Sequence, residues 1–188
     1  MIPYTTERRA DTGATNVSLG IWLFLASEVM LFGALFSAYA LLRVSAPEWP
    51  SGRDVLSLPM GLINTALLLG ATAIVWRVRR DGSARVRGPL VIGTAGSLLF
   101  LVVKGWEWSA EIAAGLVPAT NTFLATYYTL TGLHAAHVIG GIVANLWVLA
   151  GQRRVGDAMT AGRMHALTLY WAFVDLVWIV VLVLMYLT

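Results

Sequence analysis

Residues 19–42, LGIWLFLASEVMLFGALFSAYALL, form a run of 24 residues with a single charged side chain, Glu28. A bilayer's hydrocarbon core, ~30 Å thick, is crossed by ~20 mostly apolar residues in a helix, so this stretch reads as a membrane span. Four more runs reach that length. Leu56–Trp76 carries no charge, Leu90–Val117 carries Lys104, Glu107 and Glu111, Pro118–Gly151 has histidines but no charge, and Ala166–Thr188 has Asp175 alone. The runs are too long for barrel strands, and backbone crossing lipid must satisfy its own hydrogen bonds. The expected fold is therefore an all-α integral membrane protein, one transmembrane helical domain over residues 1–188, with five helices at about 18–43, 56–77, 89–115, 121–150 and 165–187.

The composition agrees. Of 188 residues, 58% are hydrophobic and 12% charged, leaving little chain for a water-soluble domain. The leader MIPYTTERRADTGATN runs into the first span without an Ala-x-Ala cleavage site, so a retained helix is expected rather than a signal peptide. The absence of cysteine excludes disulfides, thiolate metal sites and cysteine nucleophiles.

Charge asymmetry gives the expected orientation. With the N-terminus inside, the cytoplasmic side holds Arg8, Arg9, Arg77, Arg79, Arg80, Arg85, Arg87, Arg153, Arg154 and Arg163, against Arg43 and Arg53 outside. Short-loop Lys/Arg excess marks the cytoplasmic face, so the N-terminus reads as cytoplasmic and the C-terminus as periplasmic. The RVRRDGSARVR loop is explained by that topology rather than by nucleic acid. Pro47, Pro50 and Gly52 break the chain after the first span. Asp81, Gly82 and Ser83 turn it before the third, and Pro118 separates the third and fourth. Most tryptophans (Trp22, Trp49, Trp76, Trp106, Trp108, Trp147) fall toward span ends, as in an interfacial aromatic belt. Small residues recur every fourth position at Gly132, Ala136, Gly140 and Ala144, and at Gly33/Ser37 and Ala34/Ala38, as on closely packed helix faces.

Helix rise sets depth. Glu28 and Asp175 each lie nine residues into outward-running spans, ~14 Å from their starts, near the midplane. Asn64, His134 and His137 count to the same layer. An ionisable group at that depth costs at least ~2.5–3.5 kcal/mol unless it faces protein, water or a partner. A buried network of carboxyls and imidazoles is therefore expected, with its pairings open. His134 and His137, three residues apart on one helix, cannot be opposite axial ligands of a haem, and a structural pair is the preferred reading over a metal site. Lys104, Glu107 and Glu111 share a helical face toward the outer end of the third span, where, with Trp106, an interfacial cluster is expected. No nucleophile–base set, phosphate loop or dinucleotide fingerprint occurs, so nothing marks the chain as a catalyst by itself.

Together these motifs resemble subunit III of the haem-copper oxidases, the cytochrome c and quinol oxidase group. IWLFLASEVMLFGALFSAY, LINTALLLGAT, FLVVKGWEW, TGLHAAHVIGG and YWAFVDLVWIVVLVLMYL carry the likeness, in that order, from about Ser18 onward. The resemblance implies a noncatalytic subunit of an aerobic respiratory complex in a bacterial inner membrane. Subunit I, its main contact, and subunit II would hold haem and copper. This chain would bind phospholipid but no redox group, and would support the stability of subunit I and its proton uptake. Glu28 falls on the family's embedded acid, Asn64 and Thr65 on its Leu-Asn-Thr-like motif with Ile63 in place of leucine, His134 and His137 on its paired histidines, and Asp175 on its last-helix aspartate. Longer members have seven helices, of which these five correspond to the last five. Ala172 stands where a histidine is frequent, so Asp175 must find another donor. Two other readings stay open: an accessory subunit of a nitric oxide reductase, and an independent proton or ion carrier using Glu28 and Asp175.

Overall fold

The computed structural model describes residues 8–80, 86–151 and 157–188, with the side chains at 78–80, 157 and 158 outside that set. The expected turn at Asp81, Gly82 and Ser83, the side chains of Arg79 and Arg80, and Arg85, Arg153 and Arg154 thus lie outside the described residues. The elements are α1 (Asn16–Ser45), α2 (Gly52–Val55), α3 (Leu58–Arg80), α4 (Arg87–Ala113), α5 (Thr122–Gly151) and α6 (Asp157–Tyr186). All but α2 are long and apolar enough to cross a bilayer.

Two elements differ from the sequence reading. The loop after α1 contains a helical turn, α2, and α6 starts at Asp157 rather than near 165. Hydropathy marks where a helix enters hydrocarbon, whereas Asp157–Met164, with two Ala, two Met and one Arg as good helix formers, extends the helix beyond the apolar run.

Local chemistry sets the ends. Thr15 caps α1 by accepting from the Ser18 amide at 3.1 Å, and Asn121 caps α5 by accepting from Leu124 N at 2.8 Å. α4 stops at Gly115, whose φ of 81° is open to glycine. There Gly115 N donates to Ile112 O and Leu116 N to Glu111 O, the paired bonds of a Schellman cap. α2 is pinned to the end of α6: Gly52 N donates to Thr188 O at 2.9 Å. A Cβ at Gly52 would lie 1.7 Å from Met185 O, so only glycine fits.

α6 is the hub, packed against α1, α3 and α5, while α4 packs against α3 and α5. Its buried residues, including Leu167, Trp171, Val174, Trp178, Val181 and Met185, run its whole length. α1 is the outlier. Only Leu25, Phe32 and Tyr39 are buried on it, a stripe repeating every seven residues, flanked by the half-buried Ile21, Glu28, Leu35 and Phe36, and most of its remaining surface is exposed.

The close helix contacts do not fall where the small-residue pattern suggested. Gly33, Ser37, Ala136 and Gly140 are exposed and Gly132 and Ala144 half-buried. A Cβ at Gly33 meets nothing within 4 Å, at Gly132 only Trp108 at 3.9 Å, and at Gly140 the Tyr170 hydroxyl at 3.2 Å. Instead Gly141 lies against the Trp171 indole, where a Cβ would come within 2.6 Å of the ring. Gly93 and Gly96 play the same part between α4 and α3, against Val75 and Ala71. Within the chain the close contacts of α5 lie one residue away from that repeat, at the buried Gly141 and Asn145.

Gly141→Leu should therefore lower the thermal midpoint of the detergent-solubilised chain by overpacking against Trp171, a cost of about 1–3 kcal/mol. Gly33→Leu should leave that midpoint unchanged. Circular dichroism melts of both variants check the pair, and equal melting of the two would contradict the assignment of faces.

Candidate functional site

The hydrocarbon layer offers no hydrogen-bond partners, so each polar side chain in the bundle shows what the helices were arranged to satisfy. The residues expected to form one midplane network separate into distinct sites.

Glu28 and His137 meet across the α1–α5 contact. Glu28 Oε2 lies 2.9 Å from His137 Nε2, and His137 Nδ1 lies 2.8 Å from Leu133 O. A carbonyl only accepts, so Nδ1 carries a proton. The Nε2–Oε2 contact then requires a second proton, either on the imidazole as an ion pair or on the carboxyl as a neutral pair. Glu28 and His137 thus share one proton whose place is the only difference between the two forms. Phe32 packs edge-on against the imidazole with centroids 5.0 Å apart. Tyr170 on α6 donates to the His137 carbonyl at 2.7 Å.

His134 points elsewhere. One turn away from His137, it is buried against Phe100 at 5.7 Å and Trp178 at 5.1 Å between centroids. Neither ring nitrogen has a hydrogen-bond partner among the described residues. The expected satisfied pair is thus corrected: an i, i+3 spacing turns the second ring by about 60°, enough to place one imidazole toward α1 and the other toward α4 and α6. Asn64, buried on α3, is likewise without a partner for either amide atom. Its neighbour Thr65 accepts from Trp178 Nε1 at 2.9 Å while donating to Gly61 O.

Asp175 finds its donor in Thr72 on α3, at 3.2 Å. A hydroxyl thus takes the place of the imidazole that Ala172 leaves out, as the sequence reading expected of Asp175. Ala172, one turn earlier, lines the same groove of about 530 Å³ between α3 and α6, with Leu69, Trp76, Arg77 and Ile179.

Lys104, Glu107 and Glu111 depart furthest from expectation. They are enclosed by protein, at 2%, 2% and 8% exposure, rather than set at an open interface. Trp106, on the opposite face of α4, is exposed. Lys104 Nζ donates to Glu107 Oε2 at 2.9 Å, to Tyr127 Oη at 2.7 Å and to Tyr186 Oη. Tyr186 donates onward to Glu107 Oε1 at 2.8 Å, and Tyr127 to Glu111 Oε1 at 3.0 Å. The Lys104 ammonium also lies 4.7 Å from the Tyr127 ring centroid. Tyr127 and Tyr186 were missed in the sequence: one lies near the start of α5 and one at the end of α6, both nearer their helix ends than Lys104 is, and it is the long Lys104 side chain that reaches them. Also missed was the chain from Trp171 Nε1 to Asn145 Oδ1 at 3.0 Å and from Asn145 Nδ2 to Thr94 Oγ1 at 3.1 Å, which joins α6, α5 and α4.

A groove of about 840 Å³ opens between α1, α5 and α6. Val17, Ile21, Phe24, Ala144, Leu167 and Met159 make it apolar, and Arg163 sits on its wall with its guanidinium 4.0 Å from the Trp147 ring centroid. Phe24, one turn from Glu28, and Tyr170, bonded to the backbone of His137, line it as well, so the groove adjoins the Glu28–His137 pair. Among the described residues no group of three or more His, Cys, Asp or Glu side chains is arranged to hold a metal ion.

Comparison with known proteins gives these sites their setting. The chain is 31% identical over 185 residues to cytochrome bo(3) ubiquinol oxidase subunit 3 of Pseudomonas aeruginosa, covering 94% of this chain and 87% of that one. It is 29% identical to cytochrome c oxidase subunit 3 of a Bacillus species, covering 98% and 92%. It is 34% identical to the heme-copper oxidase subunit I+III of Aeropyrum pernix, over 92% of this chain and 23% of that longer protein. The family model for cytochrome c oxidase subunit III matches residues 8–188. A match over that length, carried by relatives that are third subunits of haem-copper oxidases, places the chain in the cytochrome c oxidase subunit III family.

Proposed function

We propose that this chain is a noncatalytic subunit of its oxidase, seated in a bacterial inner membrane with the N-terminus cytoplasmic. It supports the stability of subunit I and its proton uptake, while subunits I and II carry haem and copper. The observation that supports the reading is the Glu28–His137 contact, 2.9 Å across α1 and α5 beside an open groove. Whether the shared proton sits on the carboxyl or on the imidazole, the pair as a whole stays neutral, so Glu28 is held in hydrocarbon without an unpaired charge, the state that is costly there. The apolar groove suits acyl chains, and Arg163 on its wall suits a lipid phosphate. The outward face of α1, with Gly33, Ala34, Ser37 and Ala38, and the half-exposed Gly132–Ala144 stripe of α5 suit close contact with partner helices, subunit I above all. A relative in which subunits I and III are one polypeptide supports that adjacency.

Two substitutions separate the proton from the packing. Glu28→Gln keeps a hydrogen bond to a neutral His137 but holds no exchangeable proton. It should assemble with normal haem content yet show reduced proton uptake or a shorter active lifetime during turnover. Glu28→Ala should lose some assembly as well. Wild-type turnover, lifetime and proton uptake in both variants would overturn the role. Solubilised from native membranes, the chain should copurify with haem-bearing polypeptides, and recovery of a haem-free monomer alone would contradict it. The chain has no cysteine, so single replacements report orientation directly. In intact cells, Glu48→Cys should react with an impermeant maleimide and Thr12→Cys should not; the reverse result would invert the topology.

A further inference from the structure

The Lys104 cluster lies at the other end of the bundle from the Arg163 groove and has no part in the reading above. Its donors and acceptors can be followed atom by atom. An ammonium has three protons, and Lys104 places one each on Glu107 Oε2, Tyr127 Oη and Tyr186 Oη. Tyr186 spends its only proton on Glu107 Oε1 and Tyr127 its own on Glu111 Oε1. Both oxygens of Glu107 therefore accept, which leaves no place for a proton there: Glu107 is the carboxylate partner of Lys104.

Glu111 is different. Its Oε2 faces Tyr128 Oη at 3.3 Å, while Tyr128 lies closer to the Leu116 carbonyl, at 2.9 Å, and has a single proton to give. With that proton on the carbonyl, which accepts only, the Glu111–Tyr128 contact becomes a hydrogen bond only when Glu111 Oε2 carries a proton. The same proton makes the enclosed cluster electrically neutral, one cation against one carboxylate. The titratable groups facing Glu111 are Lys104 and Glu107 on α4, Tyr127 and Tyr128 on α5, and Tyr186 on α6. From α3, residues Leu58, Pro59, Met60 and Gly61 at that end bring none.

We propose that Glu111 is a proton-binding site, separate from Glu28–His137, and that its proton sets which acceptor the Tyr128 hydroxyl uses. With the proton in place, Glu111 Oε2–H donates to Tyr128 Oη and Tyr128 donates to Leu116 O, tying α5 to the segment that follows the α4 cap. When the proton passes to water at this end of the bundle, Glu111 becomes an acceptor. The Tyr128 O–H then rotates from Leu116 O to Glu111 Oε2, and the tie is released. The segment is suited to exchange with water, because Ala114, Gly115, Pro118, Ala119 and Thr120 are exposed.

Infrared difference spectroscopy of the purified oxidase complex tests this. Glu111→Gln reproduces the protonated geometry, since its amide donates to Tyr128 and its carbonyl accepts from Tyr127, but it has no carboxylic acid. Wild type minus Glu111→Gln at neutral pH should show a carboxylic C=O stretch, replaced by carboxylate bands as pH rises. Tyr128→Phe, which removes the acceptor of the acid proton, should shift that stretch. Only carboxylate bands in the first difference, or a carboxylic band unmoved by Tyr128→Phe, would overturn the proposal. Should Glu111→Gln fail to assemble, wild type against Tyr128→Phe decides alone: a shifted carboxylic band supports it and none refutes it.

Discussion

The Trp171 indole seated on the bare backbone of Gly141 is the contact on which the bundle's geometry depends. It brings α5 and α6 close enough for the indole N–H to reach Asn145, and through Asn145 to hold Thr94 on α4. Between helices in lipid there is no hydrophobic gain to drive association, because acyl chains are as apolar as leucine. Close packing and interhelical hydrogen bonds take that role, each bond contributing on the order of 0.6 kcal/mol. Such small terms hold five helices because they converge on one element, α6, which gathers bonds from Tyr39, Trp76 and Thr72 as well.

The same scarcity of partners sorts the polar side chains. The carboxyls and the lysine of the described spans are matched locally: Glu28 with His137, Asp175 with Thr72, Glu111 with Tyr127, and Lys104 with Glu107 and two tyrosines. A single shared network would require the carboxyls to approach one another, and like charges in a weakly screened interior repel strongly. Separate small sites avoid this. Each can be read as a local proton or charge balance, and the Glu28–His137 and Lys104 sites lie on different sides of α5. His134, Asn64 and the indole nitrogens of Trp49 and Trp108 are the exceptions, enclosed and without hydrogen-bond partners among the described residues.

α1 stands apart in this economy of contacts. One stripe of it is buried, through Leu25, Phe32 and Tyr39, and yet it supplies Glu28. A helix so lightly held by its own chain, with an apolar groove on one flank and small residues on another, gives Glu28 surroundings that this chain completes only in part.

Much of the architecture was legible in the residues alone. Five apolar runs specify five spans because hydrocarbon thickness leaves no other length, and the Glu28, His137 and Asp175 depths follow from helix rise. The motifs around Glu28, His134 and Asp175 pointed to the right family. What helix rise cannot supply is rotation. A shift of one position on α5, about 100°, separates the exposed Gly140 from the buried Gly141, and three positions separate His137 facing α1 from His134 facing Trp178. The enclosure of Lys104 was equally beyond a single helix's pattern, since it rests on Tyr127 and Tyr186 arriving from two others. Sequence thus determined how many helices are long and apolar enough to cross the membrane and how far along each helix a polar group stands. Only the tertiary structure decided which polar groups meet, because hydropathy encodes distance along the helix axis, and pairing depends on the angle around it.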